Sequence, residues 1–282
     1  MIVDAHLHIW RAIPNHPTPG MTIVSPASDV PVELLNAYMD EHQVERAVLV
    51  QPLYPGEDNS YIADSAAADA QRFAAVCVVD PRKQDAPERL EYWVRERGCK
   101  GMRLRPRVPG EAAGFGAPET DRLWEKARSL NVVVSVFASP EHLPTVARLA
   151  ERYPEVAIAI DHMAYPDVAK GVDAPEFQNL LALARYPRVY IKVSGYYYYA
   201  REPYPYPDCW DYFRAVYNHF GAERLMWGSD FPHILLKTGY RRNLLLQERA
   251  FPFLDPEALD LIMGQNAVGL YWNKSDASSF LQ

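Results

Sequence analysis

The sequence predicts an α/β protein folded as a (β/α)8 (TIM) barrel, in which parallel strands alternate with helices. Eight short runs rich in Val and Ile recur along the chain. They are apolar almost throughout, as strands buried on both faces should be. Segments with helical periodicity separate several of these runs. Repeated β-α units form parallel sheets, and eight of them close a barrel.

The candidate strands are spaced widely enough to leave room for a helix between most neighbours. They lie at residues 2–9, 46–52, 73–81, 99–106, 131–138, 156–164, 189–195 and 224–230. An open doubly wound sheet is the alternative arrangement of such units. The barrel is favoured because the runs number eight and because no Gly-x-Gly-x-x-Gly motif follows the first run.

The helical segments show apolar faces and recognisable ends. They are predicted at residues 30–42, 86–98, 142–153, 174–186 and 208–221. Ser139 and Pro140 supply an N-cap and a first-turn proline before one of them, and Asp255 and Pro256 do so again near the C-terminus. Residues 241–272 are predicted as closing helices, so we expect the chain, 1–282, to be a single barrel domain.

Composition and charge narrow the class of protein. Apolar residues make up 49% of the 282, enough to bury a large core, and the formal net charge of −7 argues against nucleic-acid binding. Cys77, Cys99 and Cys209 lie far apart, which argues against a disulfide framework or a structural zinc site. With no membrane-length apolar run and no secretory signal, we expect a cytoplasmic protein without a membrane partner. Whether it is a homo-oligomer stays open.

In barrels of this kind, catalytic groups come from the carboxyl ends of the strands. The polar residues at or just beyond the predicted strand ends are His6, His8, Gln51, Tyr54, Arg103, Arg105, Asp161, His162, Ser194, Ser229, Asp230 and His233. His6 and His8 are two residues apart and therefore point to one side of the first strand. Facing the helices they would displace apolar packing, so we predict that both face the lumen.

Arg103 and Arg105 repeat this spacing and suit a substrate carboxylate or phosphate, with a structural ion pair as the alternative. The remaining strand-end candidates for substrate contact are Gln51, Tyr54 and Ser194. Four further histidines are predicted to be solvated or to cap helices: His16, His42, His142 and His219.

The stretch YYYYAREPYPYPDCW, at 196–210, is rich in tyrosine and broken by three prolines, which is incompatible with a helix interior. It follows the seventh strand and is predicted either to form a wall or lid over the site or to form a packing or dimer surface. Tyr196, its first residue, is a further candidate for substrate contact.

Five segments, in order, resemble the amidohydrolase superfamily: DAHLHIW, IDHMAYP, KVSG, RLMWGSDFP and GQNAVGLYW. Within it, the sequence is similar to the amidohydrolase-related branch that holds 2-pyrone-4,6-dicarboxylate lactonases and sugar-acid lactonases. The resemblance implies that His6, His8, His162 and Asp230 form the site and that the strand-4 arginine pair binds a substrate carboxylate. It also implies a hydrolase that opens a small acidic or sugar-derived lactone, with Asp230 deprotonating the attacking water.

Two departures from the superfamily bear on metal binding. No lysine or glutamate stands at the end of the fourth strand to bridge two metals, and the fifth strand carries Ser135 and Phe137 where many single-metal members have a histidine.

The remaining donors, His6, His8 and Asp230 with His162 as an additional ligand, could still hold one divalent ion. Zinc fits these donors best, and metal-free catalysis stays open.

Three other functions stay open at this point. A metal-dependent decarboxylase of an aromatic or muconate-type acid belongs to a sister branch, and the missing histidine on the fifth strand counts against it. An amide hydrolase uses the same groups for water attack on a carbonyl. A catalytically silent barrel that binds a small acid would leave the shared presence of His6, His8, His162 and Asp230 unexplained.

Overall fold

Eight parallel strands form a nearly closed barrel with helices between them, so the predicted (β/α)8 fold is confirmed. The structure is a computed structural model that describes residues 1–16, 24–52, 54–105, 114–250 and 253–272, without the side chains of 247–250. Each strand pairs with the next in sequence order. The strands are β1 Val3–Leu7, β2 Arg46–Val50, β3 Phe73–Val78, β4 Gly101–Leu104, β5 Val133–Val136, β6 Ile158–Ile160, β7 Val189–Val193 and β8 Leu225–Trp227.

The helices alternate with the strands, and the last of them packs against the side chains inside the barrel. They are α1 Val32–His42, α2 Ser60–Ala68, α3 Ala86–Arg95, α4 Asp121–Ser129, α5 Leu143–Arg152, α6 Pro175–Ala182, α7 Tyr196–Tyr199, α8 Trp210–Phe220, α9 Tyr240–Ala250, α10 Pro256–Asp260 and α11 Asn266–Tyr271. A π-helical turn, Leu261–Gln265, joins α10 to α11. In the part of the chain that is described, no helix is long and apolar enough to cross a membrane.

The barrel closes between β1 and β8, at the carboxyl end of β1 and just after the end of β8. The Asp230 amide donates to the His6 carbonyl at 2.8 Å, and the His8 amide donates to the Phe231 carbonyl, also at 2.8 Å. This seam therefore carries two of the candidate histidines and the candidate aspartate on adjoining backbone.

A bulge in β1 determines which of its side chains face the lumen. Asp4 and Leu7 are three positions apart but pair with residues of β2 that are only two apart. Ala5 packs inside the barrel, and His6 also faces inward, within reach of other lumen side chains. Asp4 faces outward, where the Tyr240 hydroxyl donates to its carboxylate at 2.9 Å.

Several predicted ends and elements differ from the structure. The tyrosine-rich stretch was expected not to form a helix interior, but its first four residues form the short helix α7, because the prolines begin only at Pro203. The helices α2 and α4 lie outside the predicted helical segments. Pro106, at the end of the predicted fourth strand, and residues 251–252 of a predicted closing helix lie outside the described residues.

Both predicted N-caps are confirmed. Asp255 accepts a hydrogen bond from the Ala258 amide at 2.8 Å at the start of α10. Ser139 forms a capping box with His142 ahead of α5, so His142 is a capping residue as expected.

Candidate active site

A cavity of about 520 Å³ lies at the carboxyl ends of the strands. The described residues that line it are His8, His16, Pro52, Tyr54, Arg103, Arg105, Phe137, His162, Tyr165, Tyr198, Asp230 and His233. Six of the predicted site residues are in this set: His8, Tyr54, Arg103, Arg105, His162 and Asp230. His6 lies fully buried beside them.

Three imidazoles converge on one oxygen of Asp230. The Nε2 atoms of His8, His6 and His162 lie 3.4, 3.7 and 4.0 Å from Asp230 Oδ1. Each of these four side chains is buried. The structure therefore brings together the strand-1 pair, the strand-6 histidine and the strand-8 aspartate that the sequence singled out.

The second nitrogen of each imidazole faces another group. His8 Nδ1 lies 2.8 Å from the Val50 carbonyl, which can only accept, so Nδ1 carries the proton and Nε2 has a lone pair when the ring is neutral. His162 Nδ1 lies 2.8 Å from Ser194 Oγ. His6 Nδ1 lies between Asp161 Oδ1, at 3.2 Å, and Lys192 Nζ, at 3.1 Å. The Nε2 atoms are the ones directed at Asp230.

These donors fit a single divalent ion. His6 Nε2 is buried without a hydrogen-bond partner among the described residues. Ligand atoms of a tetrahedral zinc site lie roughly 3.3 Å from one another, close to the observed Nε2 to Oδ1 distances. One ligand atom each from His6, His162 and Asp230 lies within 4.8 Å of the other two, so His162 belongs to this group, whereas His8, although near Asp230, does not.

Burial sets the ionisation of the site. It lowers the pKa of His162 to about 4, although the charges of Asp230 and Asp161 oppose this. Burial alone would raise the pKa of Asp230, but His162, His8 and His233 together hold that pKa well below its usual range. At neutral pH the site therefore contains an aspartate anion beside a neutral His162.

A second charged cluster lies directly beneath. Asp161 Oδ2 accepts from Arg103 Nε at 2.9 Å, and Lys192 Nζ lies 3.0 Å from Asp161 Oδ1 and 3.0 Å from Ser135 Oγ. Burial alone would raise the pKa of Asp161, but Lys192, His6 and Arg103 hold it well below its usual range. This cluster positions His6 from the side opposite Asp230.

Two tyrosines of α7 complete the surroundings of Asp230. The hydroxyls of Tyr197 and Tyr198 both donate to Asp230 Oδ2, the latter at 2.8 Å. Burial, together with the charge of Asp230, raises the pKa of each hydroxyl far above its usual value, so both keep their protons. The stretch 196–210 thus contributes to the site itself.

Unusual backbone places these groups. Residues 162–165 all have left-handed φ values, and Asp230 has φ of 58°. Gly195 has φ of +67°, and a Cβ there would lie 2.6 Å from His162 Nδ1. A side chain at this position would displace the imidazole, so glycine is required both by the backbone and by the space.

Three of the predicted contact residues do not line the cavity. Gln51 donates to the Asp58 carbonyl at 2.8 Å and so holds the loop after β2. Ser194 lies behind His162, and Tyr196 is buried in the core with 1% exposure. These residues support the site from behind. Arg103 and Tyr54 do line it, and the Arg103 guanidinium lies over Phe137 at 5.2 Å.

Several residues that shape the site were not selected as site residues from the sequence. His233, already among the polar residues beyond the strand ends, lines the cavity three residues after Asp230 but was given no role. His16, which was expected to be solvated or to cap a helix, is half-buried and also lines the cavity. Lys192 lies in the KVSG segment and the paired tyrosines lie in the stretch 196–210, but nothing local indicated their roles, because their partners are distant in sequence.

A family model described as amidohydrolase matches residues 3–271. The chain belongs to the amidohydrolase family. The resemblance of the five sequence segments is thereby confirmed. The matched residues of this amidohydrolase span the barrel from β1 to α11.

Two curated relatives and one solved structure illustrate the similarity. An L-fucono-1,5-lactonase from Burkholderia ambifaria is 31% identical over 277 residues, covering 95% of this amidohydrolase and 94% of the relative. A 2-pyrone-4,6-dicarboxylate hydrolase from Comamonas testosteroni is 28% identical, covering 96% and 90%. An amidohydrolase from Burkholderia multivorans, solved with bound zinc, superimposes with a TM-score of 0.85, covers 96% and 99%, and is 24% identical, which shows the shared fold.

Proposed function

We propose that this amidohydrolase hydrolyses a small lactone that bears a carboxylate or several hydroxyls, by attack of water on the ring carbonyl. One observation carries the proposal: three imidazole Nε2 atoms converge on one oxygen of a buried aspartate at the edge of the cavity. The names of the curated relatives, a lactonase and a pyrone-dicarboxylate hydrolase, support it.

Asp230 is the proposed general base. The neighbouring imidazoles keep its pKa low, so it is ionised at neutral pH and can accept a proton from water. A base with a low pKa is weak, but a lactone carbonyl is a reactive electrophile and needs little activation of the nucleophile. Asp230 then returns the proton to the oxygen that leaves the opened ring.

The imidazoles of His6, His8 and His162 are proposed to stabilise the charge that develops on the carbonyl oxygen. A ring with its proton on Nε2, or a cation held by the Nε2 atoms, would do so, and preorganised groups of this kind lower the barrier of acyl transfer. His8, whose Nδ1 carries the proton, would act through the cation. A divalent ion, with zinc the proposed metal, would be held by these histidines and Asp230 and would polarise the carbonyl or lower the pKa of water.

Arg103 and Arg105 are proposed to bind the acidic group of the substrate. Both line the cavity on β4 or just after it, across the barrel from β8. Tyr54, on the loop after β2, would contact the same ligand. A carboxylate held there would leave the ring carbonyl free to reach the imidazoles.

The decarboxylase alternative is less well supported. The Ser135 hydroxyl, on β5, accepts a hydrogen bond from Lys192. Phe137, just after the strand, lines the cavity. Neither position therefore supplies the imidazole that a metal site of that kind would use.

The experiment measures acid release from the lactones with a pH indicator and product formation from the other substrates by chromatography, using protein stripped of metal and protein supplied with zinc. The panel holds a 2-pyrone carboxylate, a sugar 1,5-lactone, a simple amide and an aromatic acid. We expect hydrolysis of a lactone. Asp230→Asn should lower kcat/KM by about 10²–10⁴-fold, the usual contribution of a general base.

Asp85→Asn is the matched control, because this exposed carboxylate pairs with Arg89 and is not among the described residues that line the cavity. It should leave kcat/KM unchanged. Full activity of Asp230→Asn on a lactone would show that another group is the base. Turnover of the amide or the aromatic acid without any lactone would replace the proposed reaction.

A further inference from the structure

The four consecutive tyrosines of α7 divide into two pairs. In a helical turn, the first and fourth residues lie on one side and the second and third lie on the other. Tyr196 and Tyr199 are buried, with 1% and 9% exposure, on the side that faces the core. Tyr197 and Tyr198 lie on the side that faces Asp230.

The core-facing pair anchors the turn. The Tyr196 ring stacks on that of Tyr206, with 14° between their planes. The Tyr199 hydroxyl donates to the Ser194 carbonyl at 3.2 Å, which ties α7 to the end of β7. The turn is therefore held in place without any contribution from Asp230.

The site-facing pair saturates one carboxylate oxygen. Both hydroxyls donate to Asp230 Oδ2, whereas the three Nε2 atoms face Oδ1. The rings of Tyr197 and Tyr198 also contact each other, with centroids 4.3 Å apart. Tyr198 in addition contacts the ring of His162 at 5.7 Å.

We propose that Tyr197 and Tyr198 are positioning residues that make the two oxygens of Asp230 unequal. Two O–H donors on Oδ2 fix the plane of the carboxylate, so that Oδ1 alone is presented to the imidazoles, to a bound cation and to the reacting water. Without them the carboxylate can rotate and exchange its oxygens. The catalytic part of this inference rests on the proposed function, whereas the part that concerns cation binding does not.

The test uses Tyr197→Phe, Tyr198→Phe and the double variant, with Tyr199→Phe as the matched control. Each single change removes one hydroxyl from the same helical turn and keeps the ring. Only the control hydroxyl is bonded to backbone instead of Asp230. Zinc affinity is measured by competition with a chelator, and kcat and KM are measured on a lactone that the wild type hydrolyses.

We expect each site-facing change to weaken zinc binding by about 10-fold, as the loss of groups that orient metal ligands generally does. We also expect kcat to fall by about 10-fold with KM unchanged, because the hydroxyls act on the base and not on the substrate. Tyr199→Phe should leave both quantities unchanged.

The inference is overturned if Tyr197→Phe and Tyr198→Phe match Tyr199→Phe in zinc affinity and kcat. It is also overturned if all three variants lose melting temperature and activity together, since the role would then be structural. A wild type that hydrolyses no lactone, with zinc affinity still reduced by the two changes, would refute the proposed function and support this inference. A wild type that neither binds zinc nor hydrolyses any lactone would refute both.

Discussion

His162 begins a run of four residues in the left-handed region, a conformation that L-amino acids avoid at about 1–2 kcal/mol per residue. Such strain persists where the surrounding structure enforces it, and it is found preferentially at functional sites. Here the turn after β6 directs both His162 and Tyr165 into the cavity. The unfavourable free energy of this strained turn is offset by the favourable packing of the rest of the barrel.

Gly195 provides a test of how tightly His162 is held. Gly195→Ala should lower the unfolding free energy by about 1–3 kcal/mol and reduce activity sharply, because the new Cβ would lie 2.6 Å from His162 Nδ1. Urea unfolding and steady-state kinetics measure the two effects.

Gly171→Ala is the control for the backbone alone. Gly171 also has a positive φ, +81°, but nothing lies within 4 Å of its added Cβ. This variant should lose some stability and keep full activity. Equal activity in the two variants would mean that the imidazole tolerates displacement.

At the scale of the element, the bulge in β1 directs the side chains of Asp4 and His6 to opposite faces of the strand. Because it shifts the alternation, Asp4 binds outward to β8 and α9 while His6 faces the lumen. The Asp4 carboxylate accepts from the Ser229 amide and the Tyr240 hydroxyl, both at 2.9 Å. It thereby fastens the seam on which His6, His8 and Asp230 lie.

Asp4→Ala should therefore reduce stability and activity together. It leaves the Ser229 amide and the Tyr240 hydroxyl without their acceptor, at a cost of about 1–3 kcal/mol per buried group. Urea unfolding and kcat/KM on the lactone measure the effect. Tyr240→Phe, which removes a donor and leaves no donor unsatisfied, should cost less; a larger loss in that variant would contradict this account of the seam.

The strands and most of the helices, but not α2 and α4, were predictable because their signals are local. Apolar runs, helical periodicity and caps such as Asp255 depend on neighbours in the sequence. The lumen position of His6 and His8 followed from their spacing. The bulge that follows Asp4 could not be predicted, since nothing in the amino-acid sequence indicates the extra residue.

The site was predictable only where motifs or strand ends marked it. His6, His8, His162 and Asp230 were identified in this way, and the structure brings them together. Lys192 looks like any strand lysine until the barrel closes and places Asp161 beside it. Gln51 and Ser194 also lie at strand ends. Gln51, however, is hydrogen-bonded to the loop after β2, and Ser194 is hydrogen-bonded to His162.

For the molecule as a whole, buried histidines should make stability depend on pH. Burial lowers the pKa of His233 to about 4, against 6.5 for an ordinary histidine. Between these values the unfolded chain binds a proton that the folded chain does not, so stability is complete above pH 6.5 and is lost as the pH falls. His162 acts in the same direction. Asp4, whose pKa burial raises to about 6, acts in the opposite direction.

We expect metal-free protein to unfold more easily in urea at pH 5 than at pH 7. His233→Gln should reduce the difference in unfolding free energy between pH 7 and pH 5 by about 2 kcal/mol, the value that follows from linkage for the stated pKa shift. His219→Gln, on the exposed side of α8, is the control and should leave the difference unchanged. An undiminished difference in His233→Gln would exclude this histidine as its source.

The seam between β1 and β8 also ties activity to the order in which the chain is made. His6 and His8 emerge from the ribosome first among the site residues, yet the carboxylate they face is 224 and 222 positions later, respectively. No amino-terminal fragment that stops before β8 contains the base, however many strands it has paired. In a refolding or translation experiment, enzymatic turnover therefore reports the meeting of the first strand with the last, whereas helical content reports the earlier steps.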